Sequence, residues 1–511
     1  MLARVLSSAV LGIDAYLVTV EADVATGLPS FSTVGLPQGA VKEGKERVVA
    51  AIKNSGFQVP PKRITVNLAP ADVRKEGSGF DLPIAVGILA STGQIEPDGR
   101  LERFALLGEL GLDGAVRPVQ GALPIALAVK AEGLQGVILP EANGAEAAVV
   151  KGLEVRSART LAEVLSFLRG SGELPRVEVD VESVFSSASE YPEDFSDVKG
   201  QEQAKRALEV AAAGGHNILM VGPPGSGKTM LARRLPSILP PLSLDEALET
   251  TKIHSVAGKL GPGRPLVATR PFRAPHHTVS DAGLIGGGST PQPGEVSLSH
   301  NGVLFMDELP EFRRNVLEVL RQPLEDGEVT ISRAAMALTY PARLMLAAAM
   351  NPCPCGYHGD PKRSCTCPPD RVRRYLGRVS GPLLDRIDLH LEVPAVAYRE
   401  LSDRRSGEPS GVIRERVARA RQLQRERFAG QDGLHANAHM RVKDIREFCR
   451  LGEDAGELLK RAVSQLGFSA RAYHRILKIA RTIADLEEST NIATAHVAEA
   501  VQYRSLDRLL G

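Results

Sequence analysis

No stretch of the 511 residues reaches the ~18 uninterrupted apolar positions of a membrane-spanning helix, so no membrane partner is expected. A leader is not expected either. The start, with Arg4 ahead of a short apolar run to Leu11, superficially looks like one, but the chain continues at once into the alternating segment Ala15-Tyr16-Leu17-Val18-Thr19-Val20-Glu21, and this reads as a cytoplasmic protein. Charge of one sign is lacking as well: the net charge is +1, which predicts no overall attraction to polyanions. Cysteine is scarce, at five residues. With 43% hydrophobic and 24% charged residues, the chain has the make-up and length of a globular protein with more than one domain.

Positive charge is present locally. Residues 360–378 carry six basic side chains (Lys362, Arg363, Arg371, Arg373, Arg374, Arg378) against two acidic ones (Asp360, Asp370), a balance of +4. Residues 399–428 carry nine arginines against Glu400, Asp403, Glu408, Glu415 and Glu426, again +4. Binding to a nucleic-acid backbone needs local rather than global charge, although the second patch also fits a solvated helix face with pairs four residues apart.

The most specific motif is Gly222-Pro223-Pro224-Gly225-Ser226-Gly227-Lys228-Thr229. It follows the apolar Asn217-Ile218-Leu219-Met220-Val221 and opens into a segment that reads as helix, the setting a phosphate-binding loop requires. The glycines let backbone N–H groups turn inward around a β-phosphate, Lys228 reaches the β/γ oxygens, and the Thr229 hydroxyl is placed to ligate Mg²⁺. ATP with Mg²⁺ is the expected ligand. Gly302-Val303-Leu304-Phe305-Met306-Asp307-Glu308-Leu309 reads as a buried parallel strand ending in two carboxylates. Asp307 would hold the water shell of Mg²⁺, and Glu308 would polarise the attacking water.

An adjacent Asp-Glu pair resembles that of AAA+ ATPases, and three further positions fit the same pattern. Asn351 ends the next apolar strand, 344–350, and looks like a sensor-1 residue. Arg386, in Gly381-Pro382-Leu383-Leu384-Asp385-Arg386, resembles an arginine finger offered to a neighbouring subunit, which implies a ring. Arg471 opens a helix periodic through Ile476, Ile479, Ala480 and Ile483 and looks like sensor 2. Residues from Phe195 to about Arg508 resemble the magnesium-chelatase-like AAA+ ATPases, and the full chain resembles the ComM/YifB group. The matching strings are Phe272-Arg273-Ala274-Pro275-His276-His277-Thr278, Leu284-Ile285-Gly286-Gly287-Gly288, Pro293-Gly294-Glu295-Val296-Ser297-Leu298 and Asn351-Pro352-Cys353-Pro354-Cys355-Gly356. Lys228 and Asp307 are 307 − 228 = 79 residues apart, which leaves room for an insertion. The resemblance implies a β-hairpin there and a second hairpin before Asn351, built from 328–333 and 337–343 around an Ala-Ala-Met bend, both facing the channel of a ring. Arg333 and the glycines 286–288 are then the candidates to meet a threaded strand.

Four of the five cysteines form Cys353-x-Cys355 and Cys365-x-Cys367. A cytosolic chain keeps such thiols reduced, and four thiolates on a short loop suit tetrahedral zinc, although each pair is tighter than the usual two intervening residues. Redox disulfides and a metal-free packed loop are the other two readings, and His358 could replace one ligand. The adjacent His276 and His277 read as a capped loop rather than as metal ligands. Cys449 reads as a helix-core residue.

The fold expected is an α/β multidomain chain. Residues 1–170 form an α+β domain, with strands near 15–22, 63–68, 104–107 and 136–139 and helices near 42–55, 81–91, 122–131 and 160–168. Through Lys75-Glu76-Gly77-Ser78-Gly79-Phe80-Asp81-Leu82 and Gly108-Glu109-Leu110 with Arg117-Pro118-Val119-Gln120-Gly121, it resembles the S5-like fold of the Lon protease domain. That resemblance puts Gly79 and Leu123 where Lon proteases carry nucleophile and base, so acyl chemistry is not expected. Residues 171–192 read as a linker, 193–398 as the AAA+ P-loop core with the cysteine-rich loop 353–367, and 399–511 as a helical lid. The ComM/YifB resemblance implies a hexameric, ATP-hydrolysing motor on single-stranded or branched DNA, a helicase promoting branch migration in recombination during natural transformation. The alternatives are the ATPase subunit of a magnesium chelatase and a protein-remodelling ATPase.

Overall fold

The fold is that of a computed structural model, which describes residues 2–187, 191–261, 263–288, 291–333, 336–396, 407–431, 433–504 and 506, the side chains of Arg333 and Met336 excepted. Two compact units result. Met1–Ser187 and Leu244–Ala268 form the first, and Ala188–Ser243 with Thr269–Gly511 form the second.

The strands of the first unit are β1 (Leu2–Leu11), β2 (Asp14–Ala25), β3 (Ser30–Val34), β4 (Arg63–Ala69), β5 (Phe104–Leu106), β6 (Glu109–Leu110), β7 (Val116–Arg117), β8 (Gly136–Pro140) and β9 (Glu154–Ala158). Seven make a mixed sheet in the order β3-β4-β2-β1-β5-β8-β9, and β6 with β7 make a separate ribbon. The apolar start of the chain is thus a sheet strand: β1 pairs antiparallel with β2 from Leu2↔Asp23 to Leu11↔Asp14. Gly12, with φ +66°, lies in the tight turn between them, where a left-handed backbone favours glycine. Along β2 the period of two sends Val18, Val20, Ala22 and Val24 inward. The helix Asp81–Ser91 is apolar nearly all round and correspondingly buried, lying in the same core as these valines.

The sequence between the phosphate-binding loop and Asp307 contributes an element to this first unit. Helix Leu244–Val256 packs Leu248 against the cluster that contains Leu123, Ala126 and Val129. At its end Ser255 donates to the buried Glu146 carboxylate, which also accepts the Leu123 amide at 2.9 Å. Lys252 pairs with Asp14 at 2.9 Å. Within 171–192 the chain forms a short helix, Val181–Ser187.

The second unit carries β10 (Ile218–Val221), β11 (Phe272–Arg273), β12 (Gly286–Gly287), β13 (Gln292–Pro293), β14 (Val303–Met306), β15 (Glu328–Arg333), β16 (Met336–Pro341), β17 (Met345–Met350) and β18 (Leu389–Glu392). Five form a sheet ordered β11-β14-β17-β10-β18, parallel at every pairing. Every residue of β10, β14 and β17 is buried, as unbroken apolar runs covered on both faces require. Both expected hairpins form. β12 pairs with β13, and β15 pairs with β16 from Glu328↔Pro341 to Arg333↔Met336, so Met336 belongs to the strand rather than to the bend. The Arg333 side chain and the bend residues 334–335 lie outside the described residues. The hairpins pack together: a Cβ at Gly286 would fall 2.7 Å from Ile331 Cδ1, and the fully buried Tyr340 donates its hydroxyl to the Pro291 carbonyl at 2.8 Å.

The C-terminal part is helical: Ser410–Arg427, Val442–Phe448, Glu453–Leu466, Ala470–Leu486 and Thr494–Gln502. Ser469 caps Ala470–Leu486 by accepting the Ala472 amide at 3.2 Å, and Ile476, Ile479, Ala480 and Ile483 are fully buried, the face anticipated from their spacing. Cys449 is buried, and burial pushes its thiol up to about 12. A buried polar chain ties these helices to the sheet. His216 contacts Asp388 at 3.3 Å and Thr482 at 2.8 Å, Asn437 donates to Thr482 and Asp485, and Arg427 and Arg481 pair with Asp485. Desolvation keeps the His216 imidazole neutral and lowers its pKa, so the charge on Asp388 is balanced by Arg475, which holds that carboxyl far below its usual range despite burial.

Candidate nucleotide site and cysteine cluster

The phosphate-binding loop leaves the C-terminal end of β10, between the ends of β17 and β18, where ligands bind on open parallel sheets. Its glycines are required by space and by backbone. A Cβ at Gly222 would lie 2.1 Å from the Val393 carbonyl oxygen, and Gly225 and Gly227 take φ of +76° and +89°. Gly227 then caps the helix Lys228–Ile238, whose N-terminus offers free N–H groups to an anion.

Lys228 is almost wholly buried and folds back on its own loop, donating to the Gly222 carbonyl at 2.8 Å and the Pro223 carbonyl at 2.9 Å. It also donates to Asn351 Oδ1 at 3.3 Å, so the residue that follows β17 faces the residue opening the helix. Burial lowers the Lys228 pKa, with Asp307 opposing the shift. Thr229 donates its hydroxyl to Asp307 Oδ2 at 2.6 Å, which brings together the two groups expected to share Mg²⁺. Glu308 stands next to Asp307 in a left-handed conformation, φ +53°, with its carboxylate 3.4 Å from His277 Nδ1. Such a conformation at a non-glycine residue costs energy, and the two adjacent carboxylates meet different partners, Thr229 and His277.

Gln201 and His277 are the residues at this site that motif reading passed over. Gln201 donates to the Ser226 carbonyl at 2.6 Å from a left-handed backbone, and nothing in its neighbourhood signals this. His277 was visible in the string 272–278, where it reads as part of a capped loop; its neighbour His276 does bond Thr278 Oγ1 at 3.0 Å.

Arg386 and Arg471 are engaged beside one another rather than at the phosphate loop. Arg386 pairs with Glu325, and Arg471 pairs with Asp385 at 2.9 Å. Of the charged patches, Arg371, Arg373, Arg374 and Arg378 are exposed, although Arg373 pairs with Asp370 at 2.7 Å and Arg378 with Glu311 at 2.8 Å, while Arg416, Arg421 and Arg427 are spent on Glu209 and Glu408, the Ala212 carbonyl and Asp485.

The four clustered cysteines converge. Their sulfurs all lie within 4.8 Å of one another, with Cys353 to Cys355 at 3.3 Å, Cys353 to Cys365 at 3.7 Å and Cys355 to Cys365 at 3.6 Å. Tetrahedral zinc with bonds of ~2.3 Å needs sulfurs about 3.8 Å apart, so the donor set fits the ion. The Tyr357 and Thr366 amides lower the Cys355 thiol to about 5. Free of metal, the neighbouring sulfurs help to raise the Cys365 and Cys367 thiols, so the four do not ionise together, and a divalent cation would remove that conflict.

The parallel sheet with its phosphate loop, the acidic strand end beside it and the helical C-terminal part define an ATPase of the AAA+ class. Residues 194–401 match the family described as "Magnesium chelatase, subunit ChlI", 20–143 match "Subunit ChlI of Mg-chelatase", and 407–504 match "Magnesium chelatase, subunit ChlI C-terminal". The competence protein ComM of Haemophilus influenzae is 47% identical over 513 residues, covering 100% of this chain and 98% of that protein. The uncharacterised protein YifB of Escherichia coli is 46% identical over 503 residues, 98% of this chain and 97% of its own length. A magnesium-chelatase 38 kDa subunit of Cereibacter sphaeroides is 27% identical over 180 residues, 32% of this chain. The chain belongs to the magnesium-chelatase-like ComM/YifB family. Among the described residues no helix is long and apolar enough to cross a membrane.

Proposed function

We propose that this chain is an ATP-hydrolysing ring motor acting on single-stranded or branched DNA, a helicase that promotes branch migration in recombination. The observation that carries the reading is the pair of interlocked hairpins, joined by Tyr340 and Gly286, on the same unit as the nucleotide site. Full-length similarity to a protein named for competence supports DNA as the substrate, and the exposed arginines of 371–378 supply local positive charge for a backbone. A chelatase partner role is less well supported, because the chelatase subunit's similarity spans only 32% of the chain.

In this reading Thr229 and Asp307 hold Mg²⁺, residues 222–229 cradle the phosphates, and Glu308 activates water that Asn351 orients. Arg386 leaves Glu325 to reach the γ-phosphate of a neighbouring subunit in a hexamer, and Arg471 senses the bound nucleotide. The four cysteines hold one zinc. The first unit is a Lon-like fold without the catalytic pair: Gly79 has no side chain to attack with, and Leu123 is fully buried. The test is ATP turnover with and without DNA, together with displacement of a strand from a branched substrate. Turnover indifferent to DNA and no displacement would reject the reading.

A further inference from the structure

The cysteine cluster and the nucleotide site are joined by a few residues of backbone and by direct packing. β17 ends in Met350, and the next residue, Asn351, reaches Lys228 at 3.3 Å. Two residues further on, Cys353 is fully buried at the base of the cluster. The loop then turns through Gly356, at φ +87°, and presses on the phosphate loop itself: a Cβ at Gly356 would lie 2.4 Å from Cδ and 2.7 Å from Cγ of Pro224. Only glycine permits both the turn and the approach. The Asn351 backbone also bonds to Tyr375 from the helix Pro369–Leu376 that follows the second cysteine pair. Between the two pairs Gly356 is buried and Tyr357 and Asp360 are half-buried, while the rest is exposed. The Asp360 carboxylate accepts the Lys362 and Arg363 amides and Arg363 donates to the Tyr357 hydroxyl, which shape the turn, and the four sulfurs bring its two ends together.

We infer that zinc held by Cys353, Cys355, Cys365 and Cys367 sets the affinity of the neighbouring ATP site, by fixing Gly356 against Pro224 and Asn351 against Lys228. This rests on the zinc and nucleotide readings above. Four bonds to one ion fix the knuckle rigidly. Without the ion the loop gains freedom, Pro224 loses its support, and the loop amides that cradle phosphate are no longer held in place. Metal occupancy then acts on nucleotide binding without any group of the cluster touching the nucleotide.

The experiment uses the full chain, purified reduced and without chelator. Zinc content is measured first, then the dissociation constant of a fluorescent ATP analogue before stripping with a chelator, after stripping, and after adding Zn²⁺ back. Stripping is expected to weaken the analogue about tenfold, with far-UV circular dichroism unchanged, and Zn²⁺ to restore it. Gly356→Ala, which leaves all four sulfurs in place, is expected to retain its zinc and still weaken the analogue. Zinc that can be removed and returned with no change in the dissociation constant would overturn the coupling and leave the zinc site standing. A wild-type chain that carries no zinc and takes none up would overturn both. Gly356→Ala that keeps zinc and wild-type affinity would show that the contact with Pro224 transmits nothing.

Discussion

Thr229 and Asp307, 78 positions apart in sequence, meet at 2.6 Å, hydroxyl to carboxylate. The contact joins the helix after the phosphate loop to the end of β14, two strands away from β10 in the sheet. Thr229 and Asp307 would hold Mg²⁺ when it is bound with ATP, since both offer hard oxygen ligands, and the Thr229 hydroxyl would keep its proton and give up this hydrogen bond.

Lys228 and Glu308 should separate cleanly by mutation. Lys228→Ala is expected to abolish nucleotide binding, whereas Glu308→Gln is expected to keep it and lose about 10²- to 10⁴-fold in kcat, the range of a lost general base. Equilibrium binding of an ATP analogue beside steady-state turnover checks this. Equal loss of binding in both variants would reject the role given to Glu308.

Arg386 is held by Glu325 in the isolated chain, so a role at the γ-phosphate requires a neighbour. Mixing Arg386→Ala with Lys228→Ala subunits, each inactive alone, is expected to restore part of the ATP turnover, because a mixed ring holds interfaces with an intact loop and an intact finger. No recovery at any ratio would show that the site is not shared.

His216 gives the second unit a pH dependence. Its folded pKa is lowered, while an unfolded histidine titrates near ~6.5, so below that value the unfolded chain binds the extra proton. Stability is therefore expected to be at its full value above about 6.5 and to fall as the pH drops toward the folded pKa, with a limiting slope of about 1.4 kcal/mol per pH unit. Urea denaturation at several pH values between ~7.5 and ~5 measures it, and His216→Gln should flatten the slope whatever it does to the midpoint. A slope unchanged by the substitution would assign the effect elsewhere.

Motifs whose chemistry lies in a short string were readable without a structure. The glycines of 222–227 and the apolar run ending in Asp307 announce a loop and a buried strand by residue type alone, and helix Ala470–Leu486 announces itself by its period. What was not readable depends on partners distant in sequence. The alternating segment after Leu11 argues against a leader, but that Leu2–Leu11 is itself a strand follows only from its pairing with β2 along its whole length. β12 consists of two glycines, the residues with least strand preference, and is held by the neighbouring hairpin. Helix Leu244–Val256 follows the ATPase motif directly, yet Leu248 and Ser255 serve the first unit's core, which only the tertiary contacts reveal.

The central claim is that ATP turnover in this chain is spent on DNA, and the most direct measurement is the ATPase rate of the assembled protein with and without branched or single-stranded DNA at low salt. The account predicts a hexamer in the presence of ATP whose turnover rises with DNA of any sequence, with the stimulation fading steeply as salt is added, because phosphate contacts are electrostatic. Arg333→Ala is expected to keep the basal rate and lose the stimulation. A hexamer that binds no DNA at low salt, and whose turnover is the same with DNA as without it, would contradict the account.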